Sequence, residues 1–342
     1  MLKYIISCQF VKENMLDLNE RKTNTILKII SEANKPIGSA DIAGRLKELG
    51  INLSERTVRY HLKMFDKHGL TETRWRTGRL ITNKGLDELS NAGISDKIGL
   101  ISSRIEHLSY SMDFDLANRA GRAVINLTLF HQSEFKKALT VMREVFSAGL
   151  SMGDRVLLAR AGQRVGETVI PSGRVAFGTL CAINLNGILL KHGIPIQSRF
   201  GGVLQISESR PLRFTELVSY DGSTLDPHEI FIRSHMTNVR DAARKGEGKV
   251  LAGLREIPAA SKQLVLEIIS EAKQAGFGEP LFVGNSGEAV LGMPIVVGKV
   301  GIVIPGGLNP IAACEEWGIE TENKALSALV DYSKLVKFSE IV

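Results

Sequence analysis

The sequence predicts two domains of different class: an N-terminal all-α module closed by a short β-hairpin, and a larger C-terminal mixed α/β domain. Three observations carry this. Residues 19–70 hold three short apolar patterns of helical spacing, each ended by Pro or Gly. Residues 70–82 change to two strand-like runs around Gly78. From Arg122 onward, Gly-bounded apolar segments outnumber long helical patterns, and most of the 33 glycines lie there.

Composition sets the frame. A chain of 342 residues can bury two cores, and 44% hydrophobic with 23% charged residues is an ordinary globular balance. No apolar run approaches the roughly 18 residues that span a bilayer. The apolar opening Met1–Val11 lacks the core length and cleavage site of a signal peptide, so a cytoplasmic protein without a membrane partner is expected. Met15 is an alternative start. Cys8, Cys181 and Cys314 are too scattered for a metal or disulfide framework. Charge is uneven: residues 1–112 carry 18 Lys+Arg against 13 Asp+Glu, whereas residues 113–342 carry 25 against 24. Residues 54–84 hold eight basic and three acidic side chains. A positive field confined to one short segment fits a nucleic-acid contact made by one module.

Ile26, Ile29 and Ile30 mark a first helix, stopped at Asn34-Lys35-Pro36. Ser39 is read as the N-cap of a second, which places Ile42, Leu46 and Leu49 on one face before Gly50. Ser54 caps a third, with Val58, Leu62 and Phe65 inward and Gly69 at its end. Arg56, Arg59, Tyr60, Lys63 and Lys67 project from the opposite side. Such a face is either solvated surface or suited to a major groove, where arginine donates two parallel bonds to guanine. Ser54 and Thr57 near the helix start can meet phosphate or base edges. Leu70–Trp75 and Arg79–Thr82 read as strands joined by Arg76-Thr77-Gly78, with Gly78 suited to a left-handed turn. Arg74, Arg76 and Arg79 cluster there, where a wing lies along phosphates or in the minor groove. Helix, helix, recognition helix and basic wing resemble the winged helix-turn-helix family, Ser54–Leu62 most of all. The DNA-binding candidates are thus Ser54, Arg56, Thr57, Arg59, Tyr60, Lys63, Arg74, Arg76 and Arg79, and the partner is double-stranded DNA.

A fourth helix begins near Thr82. Beyond Gly93, Ile98, Ile101, Ile105, Leu108 and Met112 follow a 3-4 spacing. This is either a two-heptad seam pairing two chains or a linker helix packed on its own C-terminal domain. The expected divisions are 18–93 for the DNA-binding domain, 94–112 for the linker or dimerisation helix, and 113–342 for the α/β domain.

In that domain a strand from Arg122 to Phe130 precedes a helix over Ser133–Ala148. Apolar segments follow at Arg155–Arg160, Thr179–Leu190, Gly202–Ile206, Leu281–Val283, Ile295–Val297 and Val300–Ile304, with helical patterns at Ala259–Ala275 and Pro310–Trp317. Lys137–Gly149 echoes Leu264–Gly276, and Gly193-Ile-Pro-Ile196 echoes Gly292-Met-Pro-Ile295. Either two related lobes enclose a cleft, or amphipathic helices match by chance. Ile304–Ala313 offers Gly306, Gly307 and Asn309 ahead of Pro310, a helix start suited to an anion. Arg199 with Gly201 and Gly202 forms another corner; Pro171–Arg174, which ends on Arg174, and Gly284–Gly287 are similar. Each is a plain turn by default, and their convergence on Arg174 and Arg199 would favour a small anion. Cys181 is read as a buried thiol or a pocket-lining residue. Asp221–Pro227 departs from the calcium-loop pattern and is simpler as a turn into a helix capped by Asp226. No nucleotide loop, nucleophile elbow or zinc motif is present. No enzyme activity, cofactor or metal is expected.

Gly178–Asn184, Gly193–Ile196, Ser198–Gly202, Arg213–Pro227 and Pro305–Pro310 resemble the NrpR effector domain of methanogenic archaea. With the winged helix, the resemblance covers nearly the whole chain from about residue 18. It implies a repressor of nitrogen-fixation and nitrogen-assimilation operons, a homodimer or higher oligomer, released from DNA by 2-oxoglutarate as effector. It also implies, as a further partner, a second NrpR-type subunit carrying more effector domains. On these blocks the chemistry of the residues places effector contacts at Arg174, Thr179, Cys181, Arg199, Gly201, Gly202, Gly306, Gly307 and Asn309. A bifunctional enzyme-repressor and a domain that only dimerises and docks a partner are the other readings.

Overall fold

A computed structural model describes residues 23–33, 35–74, 77–91 and 100–341. It divides into two compact units, Met1–Ile98 and Gly99–Val342.

In the first unit, α1 (23–32) buries Ile26, Leu27, Ile29 and Ile30 against α2 (Ser39–Glu48) and α3 (Glu55–His68). The N-cap of α2 is Gly38, one residue before the expected Ser39, whose hydroxyl is bonded to Glu55 instead. Leu49, expected inside, is the exposed C-cap. In α3 the expectation holds in detail: the Ser54 side chain accepts from the Thr57 N–H, Val58, Leu62 and Phe65 are buried, and Gly69 ends the helix at φ 71°. Strands β1 (Thr71–Arg74) and β2 (Gly78–Ile81) pair antiparallel, and Ile37 adds a bridge to Arg79. That bridge explains Gly78: at φ 125° a Cβ there would lie 2.3 Å from the Ile37 carbonyl oxygen. Helix α4 (Asn83–Asn91) starts where the Thr82 hydroxyl accepts from the Gly85 N–H.

The second unit opens with α5 (Leu100–Ser111). Ile101, Ile105 and, just beyond the helix, Met112 are buried in the cores of this same unit. The described part of the expected seam is therefore spent within one chain. Ile98 lies outside the described residues.

The next elements are β3 (Arg122–His131), α6 (Phe135–Ser147), β4 (Arg155–Arg160), the small ribbon β5 (Arg164–Val165) and β6 (Thr168–Val169), β7 (Arg174–Leu180) and α7 (Asn184–Lys191). Then follow β8 (Gln197–Ser207), β9 (Arg210–Ser219), α8 (Pro227–Arg233), α9 (Val239–Lys245), β10 (Gly248–Pro258), α10 (Lys262–Gln274), β11 (Phe282–Val283), β12 (Lys299–Pro305), α11 (Asn309–Glu316), β13 (Thr321–Asp331) and β14 (Val336–Lys337). Two five-stranded sheets result, ordered β13-β3-β7-β4-β14 and β11-β12-β10-β8-β9, with every pairing antiparallel.

The strand β8, which follows α7, pairs with β10 of the second sheet; β13, which follows α11, pairs with β3 of the first. Element order thus runs in parallel from β3 to β8 and from β10 to β13. The helix echo matches it, since Gly149 and Gly276 follow α6 and α10 at φ 69° and 83°. The second echo is displaced. Gly193 follows α7, but Gly292 sits in the β11–β12 loop; the topological match is Gly318 after α11, at φ 75° against 73°. Both sheets are covered on two faces. One apolar cluster draws on α6, α9 and α11, the other on α7 and α10, and each takes residues from β3, β7, β10 and β12. No described helix is long and apolar enough to cross a membrane.

Candidate functional site

The first candidate is the exposed side of α3. Tyr60 is 64% exposed, and Arg56, Lys63 and Lys67 have no ion-pair partner among the described residues. Ser54 and Thr57 share a hydrogen bond at the helix start, so their hydroxyls also serve the cap. Arg59 lies against Glu55 at 2.5 Å, one turn away, with both side chains exposed; Arg59 and Ser39 together hold the Glu55 carboxyl below its ordinary range. Such a solvated pair exchanges readily for a phosphate. Arg74 is likewise exposed and paired with Glu72 at 2.6 Å. Arg79 differs: it is mostly covered and donates to Asp66 Oδ2 at 2.9 Å, while Thr71 and Thr73 donate to the same carboxylate. It braces the wing against α3 rather than projecting from it. Arg76 lies outside the described residues.

The second candidate is a narrow pocket inside the second unit. The β7–α7 corner (Cys181, Ala182, Ile183), the β12–α11 corner (Gly307, Leu308), the approach to α8 (Tyr220, Asp226, His228), Asn126 of β3, Arg255 of β10, Ile105 of α5 and the Ala325–Leu326 bulge of β13 surround it. The two corners are built alike. Asn184 accepts from the Val124 N–H and donates to the Val124 and Cys181 carbonyls. Asn309 accepts from the Leu251 N–H and donates to the Leu251 and Leu150 carbonyls. Each amide thus anchors a helix start to an interior strand of a sheet, β3 for Asn184 and β10 for Asn309. The corners touch so closely that a Cβ on Gly307 would lie 2.1 Å from the Leu180 carbonyl oxygen.

Arg255 is the chemical feature of this pocket. It is 1% exposed, and no carboxylate among the described residues lies within ion-pair distance. Its hydrogen bonds are long, 3.3 Å to Asn186 Oδ1 and 3.4 Å to its neighbour's carbonyl, and the Tyr220 ring is 5.3 Å away. A guanidinium has five N–H donors, and the Tyr220 hydroxyl takes up a further one. A buried charge is costly unless it is hydrogen-bonded or met by the opposite sign, and the Asp226 carboxylate lines the same pocket. Burial also pushes the Cys181 thiol and Tyr220 phenol up to about 12 and pulls His228 below its ordinary value. All three are neutral near pH 7, so Cys181 is no ready nucleophile.

The expected effector residues divide. Cys181 and Gly307 line this pocket, and Gly306 and Thr179 lie behind it, Thr179 buried with Asn126 3.4 Å from its hydroxyl. Asn309 has its amide fully committed to backbone and no polar atom left for a ligand. Arg174 lies at the far end of β7 and pairs with Glu322 at 2.7 Å. Arg199 is not in the pocket lining and faces the buried Glu256 at 3.7 Å. Gly201 and Gly202 are required by packing: added Cβ atoms would meet Pro227 at 2.8 Å and the Glu216 carbonyl at 2.5 Å. Sequence reasoning missed Arg255, although Val250–Pro258 carried a signal. A charged pair, Arg255-Glu256, interrupts an apolar run, and alternation sends the two to opposite faces of a covered strand.

A winged-helix unit with a cationic recognition helix, joined to an α/β domain that encloses a pocket, defines the class of winged-helix transcription regulators. Residues 98–337 match the model of the NrpR regulatory domains NRD1 and 2, and residues 24–89 match the Ribonuclease R winged-helix domain. The global nitrogen regulator NrpRI of Methanosarcina mazei is 35% identical over 92% of this chain and 97% of its own length. The global nitrogen regulators NrpR of Methanococcus maripaludis and Methanocaldococcus jannaschii are 33% and 32% identical. Those alignments cover 91% and 95% of this chain but 54% and 56% of the relatives, so the chain spans about half of these longer proteins. The crystal structure of a nitrogen repressor-like protein from Methanococcus jannaschii shares the fold, with TM-score 0.60 and 24% identity over 70% of this chain and 98% of that one. The chain belongs to the NrpR family.

Proposed function

We propose that this protein represses nitrogen-fixation and nitrogen-assimilation genes by binding operator DNA as an oligomer, and that 2-oxoglutarate releases it. The observation that carries the DNA half is α3: a capped, rigid helix presents Arg56, Tyr60 and Lys63 outward, beside a wing braced by Arg79–Asp66. That is the geometry a major groove accepts. The relatives' names as nitrogen regulators support the gene class. The parallel order of elements from β3 to β8 and from β10 to β13 supports two related halves, which is the basis for a sensing domain with an internal cleft. A small acid that favours one arrangement withdraws the other from DNA by no more than its differential affinity.

Fluorescence anisotropy on a duplex of mixed sequence, at 50 to 200 mM salt, tests the DNA half. Cation-mediated contact gives an affinity that falls linearly in log–log form with salt, by at least tenfold over this range. A salt-independent signal, or none, rejects it. Nucleotide turnover by the purified chain would favour the enzyme-repressor reading instead.

A further inference from the structure

We propose that Glu55 sets the sequence preference of α3: its carboxylate selects sites that place a cytosine amino group under the first turn of the helix, and it works against binding through phosphates alone. This rests on reading α3 as the DNA-contacting helix, and it says what that helix looks for.

An acid stands here among cations. The same helix carries Arg56, Arg59, Lys63 and Lys67, and its other acid, Asp66, is committed to Arg79, Thr71 and Thr73. Glu55 is held in place from two elements. Ser39 of α2 donates to its Oε1 at 2.9 Å, and Arg59 donates to the same atom from Nε at 3.2 Å and from Nη2 at 2.5 Å. All three bonds fall on Oε1, so Oε2 is the acceptor that a new partner would meet. The Arg59 guanidinium, and after it the Ser39 hydroxyl, hold the carboxyl below its ordinary range, so it is charged at neutral pH.

A glutamate in a first turn also suits the positive end of its own helix, but that contact carries no preference among DNA sequences. The groove supplies one. Recognition helices meet base edges with their N-terminal residues, and an ionised carboxylate there can only accept. Phosphates repel it, as do guanine N7 and O6 and thymine O4. Adenine sets the acceptor N7 beside its amino group, whereas the cytosine edge offers its N4 amino group alone. The guanine paired with that cytosine offers N7 and O6, which suit Arg59 one turn along the helix. A C·G pair thus receives Arg59 and gives Glu55 a donor in exchange. When Arg59 leaves for a phosphate instead, the Glu55 carboxylate is left facing backbone charge, and contact with phosphates alone is penalised.

Selection of duplexes from a random pool by the full chain, followed by sequencing, is the test, with Glu55→Ala and Glu55→Gln beside wild type. Anisotropy then compares the selected duplex, the same duplex with the cytosine pair changed to a thymine pair, and an unrelated duplex. Wild type is expected to enrich a cytosine and to bind the thymine duplex about fivefold more weakly. Glu55→Ala is expected to lose that cytosine and keep the other enriched positions. Glu55→Gln is expected to exchange it for adenine, because an amide both accepts and donates and so matches adenine N6 and N7. Both variants should bind the unrelated duplex about threefold more tightly than wild type, a carboxylate having been removed from beside the phosphates. An unchanged melting transition certifies each variant as folded, and if Glu55→Ala melts early, Glu55→Gln decides alone. A folded variant that enriches the wild-type sequence overturns the role of Glu55 and leaves DNA binding standing. So does salt-dependent binding by wild type with no cytosine enriched. A wild-type chain without salt-dependent binding to any duplex overturns both.

Discussion

Residues of one chemical type take opposite duties here, and burial with partners decides which. Lys63 on α3 has no ion-pair partner among the described residues, while Arg79 is clamped to Asp66. Lys63→Ala should leave melting unchanged and reduce the salt slope of DNA binding by about one. Arg79→Ala should instead lower the melting temperature of the first unit, by stranding Asp66 and loosening two threonines. Differential scanning calorimetry beside the binding titration separates the two outcomes. The paired amides are the second residue-scale case. Asn184→Ala and Asn309→Ala each strip a buried N–H and two carbonyls of their partner, a loss on the order of 3 kcal/mol that urea denaturation reads. Asn309 was legible as a polar group at a helix start, but not its use. Whether an amide at a helix start faces a ligand or a neighbouring strand depends on a contact 58 residues away. Arg174 misled for the same reason, because Glu322 is brought to it by the distant strand β13.

At the scale of elements, the winged helix was readable almost in full. Its caps, stripes and turn glycines are local signals, and α3 carries all of them within sixteen residues, Ser54 to Gly69. Gly78 shows the limit. The sequence marked a turn, whereas the structure also needs the missing Cβ so that Ile37 can bridge the wing. Gly78→Ala should therefore cost both stability and DNA affinity, with circular dichroism melting and anisotropy falling together; a loss of affinity alone would mean the bridge is dispensable. The strands β9, β10 and β13 escaped sequence reading. The strand β10 is covered on both faces, so it lacks alternation, and β13 is broken by its bulge. The apolar stripe of α5 was legible, but two-heptad periodicity does not say whose surface it meets. Its own domain supplies that surface.

For the whole molecule, the two sheets exchange their closing strands, since β8 and β13 each leave the half that precedes them in the chain. Neither half can therefore complete its sheet alone, and the second unit should unfold in one transition rather than two. Its pH dependence has a predictable sign. Burial holds His228 neutral below its ordinary 6.5, whereas the unfolded chain takes up the proton there. Its contribution is full above about pH 6.5 and is lost as pH falls toward the folded value. Glu229, raised by burial, works the other way as it protonates, and Asp113, lowered mainly by its bond to Arg122, acts only in more acid solution. The urea midpoint should decline from pH 7 to 5.5 less steeply in His228→Gln than in wild type.

One titration addresses the proposed control of DNA binding by 2-oxoglutarate. A duplex selected by the protein from a random pool is bound by the full chain, and 2-oxoglutarate is added while anisotropy is followed. The predicted result is a fully bound duplex beforehand and progressive release as 2-oxoglutarate is raised. A wild-type complex that stays intact at saturating 2-oxoglutarate would contradict the account.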